Sequence, residues 1–480
     1  MIYRKEMSLP GIKRERITLG DFSGGLRTVE EENLLPQRFA TECFNVAGGS
    51  GALKRLMGVE AFRFREREFM LSAGLRALFC FHRYDRERDT EDDRLVAQGE
   101  DGYLYAAPLF EDGGFVSLNV KREGKLSAVN YRLNGEDVLI ISSESEPMLV
   151  WDGVNAPYEV PEAPYVTSLC VHYERLFATT AGDKSELWFS DDLNVTNWHI
   201  SLDEAGFIQL ADEGGGILRA VEFMDYVYLF RSYGIARVSA YADQTQFRVT
   251  KIYQSTGKIY PDTVTVCGDR IYFLSEEGAF SFDGLDAVRV MPEWQEAFES
   301  NQPGAFACRH GGRWYLAVRL KYTTPWSEDE SGYRNNALVC YDLYKKKAWV
   351  MRGVDVRGLC MLELETGSAA LVLTQNRQAV GVLRDSGCFF GKPLLMRWQT
   401  PWTDLNRAER KKVLRSVTVT GKGDYTVEVE SDTAARKKSF GGSMTAAFSV
   451  QGNRFRLTFE SADPEFCISK PQLIVDTREG

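Results

Sequence analysis

Histidine is scarce in this chain: four in 480 residues, His82, His172, His199 and His310. No two stand at HxH or HExxH spacing, which excludes the common histidine metal motifs. His172 and His310 fall in expected hairpin turns and read as solvated turn residues. The nine cysteines form no CxxC pair. Most sit in apolar strand-like runs, such as Cys80 in "LFCF", Cys267 in "VTVC" and Cys340 in "LVCY". They read as buried small hydrophobes of a reducing compartment, not as a disulfide scaffold or a zinc site. No run approaches 18 apolar residues, so no membrane-spanning helix is expected. The opening "MIYRKEMSLPGIKRER" lacks an apolar core, so no secretory signal is expected and synthesis in the cytoplasm is. Helical periodicity is also rare; only 34–44 and 293–300 carry it. An excess of basic charge is missing too. With 58 Lys and Arg against 68 Asp and Glu, the net charge is -10. Tight general binding to nucleic acid needs the opposite balance.

What is present points to strands. Aromatics reach 12%, with 21 Tyr, 28 Phe and 9 Trp beside 42 Gly. That mixture suits pleated surfaces and tight turns. The middle of the chain carries a degenerate repeat: "SAVNYRLNGEDVLIIS" (127–142), "VTSLCVHYERLFATT" (166–180), "LRAVEFMDYVYLFRS" (218–232), "TVTVCGDRIYFLS" (263–275) and "AFACRHGGRWYLAVR" (305–319). Each is a strand, a short polar or glycine turn, and a second strand rich in aromatic and β-branched residues. A third strand-like element follows each hairpin, as in "MLVWDG" and "AFSFDG". Three or four strands recurring every few dozen residues are the pattern of a propeller blade. A lone hairpin is marginal in water, and stacking blades around an axis hides both faces of each. The expected fold is all-β: a six- or seven-bladed β-propeller over 63–400, an N-terminal arm over 1–62 with a short helix and a Gly hairpin, and a small C-terminal β-sandwich over 401–480. The competing architecture is a set of stacked β-sandwiches. The final strands, such as "DYTVEVESD" and "NRFRLTFES", alternate with period two, as strands with one wet face do.

Few motifs survive scrutiny. "GGSGALKR" (48–55) lacks the Lys directly after the last Gly and the Ser or Thr of a phosphate loop, and reads as a glycine turn in a hairpin. "SDDLNVTNW" (190–198) resembles the Asp box of sialidase-type propellers at Ser190, Asp192, Thr196 and Trp198. It departs with Asn194 in place of Gly and one extra residue before Trp198. The box is structural in that family, so the resemblance implies blade architecture. The dipeptide Trp151-Asp152 stands without the other marks of a WD repeat. No G-x-S-x-G elbow occurs. The acidic runs "DRERDTEDD" (85–93) and "SEDESG" (327–332) read as solvated loop tips. No catalytic, cofactor-binding or metal-binding residue rises above background, and no cofactor is expected.

The N-terminal order is more distinctive. "DFSGGLRT" is followed by "LPQRFATECFN", a glycine hairpin and "LKRLMG". This order resembles the leader of structural proteins of tailed bacteriophages, with "SDDLNVTNWHI" and "YFLSEEGAFSFDG" as further shared stretches. It departs where Arg55 and Gly58 are not adjacent. The resemblance is to the tail nozzle, or DNA-stabilising head-closure, proteins of short-tailed phages and prophages. It implies a non-enzymatic virion protein of the tail, made in the host cytoplasm. It also implies a six-fold homo-oligomeric ring around the DNA exit channel, joined to adjacent tail or head-closure proteins, with transient and non-specific passage of DNA. On that reading Phe22, Gly24, Gly25 and Leu26 form an assembly arm laid on a neighbour. The alternative is an arm that closes this chain's own propeller. Two other functions compete: a glycan-binding or glycan-cleaving propeller, favoured by the Asp-box-like turn, and a cytosolic scaffold of the WD type.

Overall fold

The computed structural model describes residues 11–27, 35–49, 51–86, 88–200, 204–241, 243–322, 324, 329–364, 367–405 and 410–478. Among them, six four-stranded antiparallel sheets follow one another along the chain, and a six-stranded sheet that begins at Val356–Leu364 follows them. Their first strands are Leu75–Phe81, Leu126–Leu133, Val166–His172, Ile217–Phe223, Ile259–Cys267, Phe306–His310 and Val356–Leu364. Each of these packs on the next, and the last packs on the first. The ring is therefore closed, and the fold is a β-propeller of seven blades.

The burial pattern explains why these sequences stack. Second and third strands are covered on both faces by neighbouring blades, as in Arg270–Ser275 and Gly278–Phe282, where nearly every side chain is buried. Continuous apolar runs such as "IYFLS" suit that position, whereas alternation would strand polar groups inside. The tight turns follow local chemistry. Asn134 and Gly135 have φ of 51° and 85°, and Gly311 and Gly312 have 54° and 72°. Met224 and Asp225 take the same left-handed conformation, at 49° and 61°, without glycine. Here the strand register decides and the side chains bear the strain.

The seventh blade is completed from the other end of the chain. Gly58–Ala61 pairs antiparallel with Gly381–Arg384 as its fourth strand. The residues before it enter the C-terminal sandwich. One sheet runs Met444–Gly452, Lys412–Lys422, Cys467–Arg478, Ala52–Arg55, Val46–Gly49, with Ile12–Thr18 also paired to Cys467–Arg478. The other runs Glu42–Phe44, Met396–Gln399, Phe455–Ser461, Asp424–Ser431, Ala435–Gly441. The N-terminal segment is thus built into the sandwich, and Met396–Gln399 belongs there too. One core joins this sandwich to blades five and six, through Phe44, Trp398, Trp314 and Trp349 among others.

Two helical expectations change. Within 34–44 the described residues form the strands Phe39–Ala40 and Glu42–Phe44, because Glu42–Phe44 pairs with Met396–Gln399. Long-range pairing overrides the local periodicity. The segment at 293–300 is a short 3-10 turn, Pro292–Ala297, with Trp294 and Ala297 buried. The glycine hairpin is as expected: Val46–Gly49 pairs with Ala52–Arg55, and Gly51 takes φ of 87°.

Candidate functional site

The propeller axis encloses a cavity of about 670 Å³ lined by the first strands of the blades. The antiparallel order places the starts of those strands at one mouth and their ends at the other. At the first mouth, Lys125 of blade two reaches Asp262 of blade five, with Nζ to Oδ1 at 2.5 Å. Arg219 of blade four lies 3.8 Å from the same carboxylate. Arg76 of blade one approaches Glu123 at 3.4 Å. Blades two and five stand across the ring from one another, so the Lys125–Asp262 pair bridges the opening. At the second mouth, His82 Nδ1 lies 3.1 Å from Asp93 Oδ2. The hydrogen bond to Asp93 raises the His82 pKa. Further in, Cys80 and Cys360 face each other with their sulfurs 3.6 Å apart. Among the described residues no three His, Cys, Asp or Glu side chains converge to hold a metal ion. No sequence signal pairs Lys125 with Asp262; blade order alone brings them together.

The two ends of the propeller differ. Turns joining first to second strands and third to fourth strands share one face. On that face Val154, Tyr173, Met224, Tyr241, Leu285 and Tyr344 are all exposed, Tyr344 by 87% and Tyr241 by 72%. They come from five consecutive blades, two to six. Tyr173 and Tyr241 meet edge to face with ring centroids 5.7 Å apart. His172 lies beneath Tyr173, at 4.3 Å between centroids. It is only 3% exposed, which corrects its reading as a solvated turn residue. Burial lowers its pKa. His310 is half-buried, and its Nδ1 is 3.1 Å from Ser368 Oγ.

The expected assembly arm is folded inward. Phe22 and Leu26 are each 1% exposed. Phe22 meets Trp398 edge-on, with centroids 5.5 Å apart and planes at 86°. Gly25–Leu26 pairs with Phe39–Ala40 of the same chain. A Cβ on Gly24 would come within 2.6 Å of the Arg38 carbonyl oxygen. One on Gly48 would lie 2.1 Å from the Phe22 carbonyl oxygen. These glycines serve close packing inside the molecule. Phe22 and Leu26 are therefore not available to anchor a neighbour, because the core shared by the sandwich and blade six takes both.

The Asp-box-like turn joins the third and fourth strands of blade three. Ser190 Oγ accepts from the Leu176 amide at 3.0 Å, and Trp198 is buried, its Nε1 donating to the Val195 carbonyl at 3.0 Å. Thr196 Oγ1 donates to Asn194 Oδ1 at 2.8 Å. Asp192 is exposed; the carboxylate that ties the turn is Asp191, which accepts from Asn197 Nδ2 at 3.0 Å. The buried Arg175, which sequence reading passed over, donates to the Ser190 and Glu204 carbonyls at 3.0 Å each. The acidic run at 85–93 is not wholly solvated either. Asp93 is 6% exposed and accepts from the Arg83 amide at 3.2 Å. Part of "SEDESG" lies outside the described residues. Within it, Glu330 is buried against Arg352, with Nη2 to Oε2 at 2.5 Å.

No family model and no curated protein matches the chain. Among solved structures it is similar to a crystal structure of BBS1N in complex with ARL6DN, soaked with lead. The TM-score is 0.45 and the identity 9%, covering 68% of this chain and 96% of that one. A second crystal of the same complex, soaked with mercury, gives a TM-score of 0.42 and 12% identity over 65% and 93% of the two chains. No helix among the described residues is long and apolar enough to cross a membrane.

Proposed function

We propose that this chain is a non-enzymatic structural protein of a phage tail. Copies of it form a ring around the DNA exit channel and join neighbouring tail proteins. The observation that carries this reading is the loop face, where Tyr173, Met224, Tyr241, Leu285 and Tyr344 stand exposed on consecutive blades. Exposed aromatic and apolar side chains gathered on one surface mark protein contacts. The resemblance of the N-terminal leader supports the same reading. DNA passes through the ring of subunits and not along the propeller axis, which the Lys125–Asp262 pair crosses. The net charge of -10 suits a channel wall that repels phosphates.

Light scattering and negative-stain imaging of the purified protein test the proposal. A particle several-fold heavier than 54.3 kDa with a central hole is expected. A monomer at every concentration that releases reducing sugar from a surface polysaccharide would overturn it in favour of a glycan-cleaving propeller.

A further inference from the structure

Cys80 and Cys360 stand on the innermost strands of blade one and blade seven, the two blades that meet where the ring closes. Their Sγ atoms are 3.6 Å apart. The two strands are held to one another across this seam without a covalent link. Both cysteines are partly exposed and line the open axial cavity. Six of the other seven cysteines are buried. A disulfide requires the sulfurs to approach to about 2.05 Å, and side-chain rotation supplies a closure of this size when the Cβ atoms already face each other.

We propose that Cys80 and Cys360 are a paired modification site: they form a disulfide that locks the propeller seam when the protein meets an oxidising thiol–disulfide pool. The reagent class is a low-molecular-weight disulfide such as oxidised glutathione. One cysteine thiolate attacks it, forming a mixed disulfide and expelling one glutathione thiolate. The second cysteine then attacks the mixed disulfide and expels the other. One S–S bond is broken and one formed. The two cysteines lose two protons and two electrons, and both glutathiones end as thiols. The titratable groups facing the pair are His82, Asp93, Glu363 and, from the first strand of blade six, Cys308. The hydrogen bond to Cys360, burial and the two carboxylates hold the Cys80 thiol well above its ordinary range. Exchange is therefore slow at neutral pH and quickens as pH rises. This inference stands whether or not the chain belongs to a phage tail.

The full chain is equilibrated in reduced or in oxidised glutathione, then denatured for thiol counting and non-reducing peptide mapping. Titratable thiols are expected to fall from the nine of the sequence by two. A cross-linked peptide pair containing Cys80 and Cys360 is expected, with a higher Tm than in the reduced form. Cys360→Ser is expected to abolish both the cross-link and the rise in Tm. Nine persisting thiols, glutathione adducts at Cys80 or Cys360 without a cross-link, or a different cross-linked pair would each overturn the proposal. If Cys360→Ser fails to fold, the peptide map of the unaltered chain decides alone.

Discussion

Asn45 and Arg352 hold each other through two reciprocal hydrogen bonds. Asn45 Oδ1 accepts from the Arg352 amide at 2.9 Å, and its Nδ2 donates to the Arg352 carbonyl at 3.1 Å. The same Nδ2 donates to the Leu395 carbonyl at 2.7 Å. One left-handed residue, with φ of 58°, thereby ties the N-terminal segment to the end of blade six and to the entry of the sandwich. Asn accepts that conformation at small cost and supplies both a donor and an acceptor. Asn45→Ala leaves buried backbone groups unpaired and is expected to cost about 2–4 kcal/mol. The midpoint of urea unfolding checks this.

Phe22 separates an inward arm from an outward one. Phe22→Ala opens a cavity beside Trp398 and Phe459 and is expected to cost about 3–5 kcal/mol of stability. A residue that only gripped a neighbour would leave the stability of the single chain unchanged. Thermal unfolding of the dilute protein distinguishes the two.

Arg352 and Glu330 form an ion pair whose side chains are only 1% and 2% exposed. The Arg352 guanidinium also stacks 4.9 Å from the Tyr322 ring. Glu330→Gln or Arg352→Met alone strands a buried partner and is expected to cost about 3–5 kcal/mol. The double variant Arg352→Met with Glu330→Leu is expected to cost clearly less than the sum of the two single changes. A double-mutant cycle in denaturant measures the coupling.

Asp212 makes stability depend on pH. Burial pushes its pKa up, but the Gly214 amide, Lys251 and Arg231 outweigh that and lower it to about 2. Arg231 lies 2.6 Å away. Because the folded value lies below the unfolded value of about 3.9, the contribution is complete only above about pH 5. It is lost progressively as pH falls from about 5 through the folded value of about 2. Asp212→Asn is expected to flatten that part of the Tm–pH curve and to lower stability at pH 7.

The Asp-box-like turn gives a paired test. Asp191→Ala removes the acceptor for Asn197 and is expected to destabilise by about 1 kcal/mol. Asp192→Ala, at an exposed carboxylate, is expected to change stability by less than about 0.5 kcal/mol. Equal effects would show that the turn is held in another register.

The sequence by itself determined the class of fold, because blade strands carry their signal locally. The "NG" and "HGG" turns, the continuous apolar second and third strands and the alternating tail are each readable within a dozen residues. The Asp-box-like turn was legible for the same reason, although the carboxylate that matters is one residue earlier than spacing suggested. Tertiary structure decided what depends on pairing across hundreds of residues. Gly58–Ala61 completes blade seven, Ile12–Thr18 pairs with the last strand, and Glu42–Phe44 is a strand because Met396–Gln399 lies beside it. Phe22 reads in sequence either as an anchor laid on a neighbour or as part of an arm that closes this chain's own propeller, and only Trp398 and Phe459 make it core. The Lys125–Asp262 bridge and the Cys80–Cys360 pair likewise arise from ring closure. Local periodicity records which faces are buried, but not which distant strand buries them.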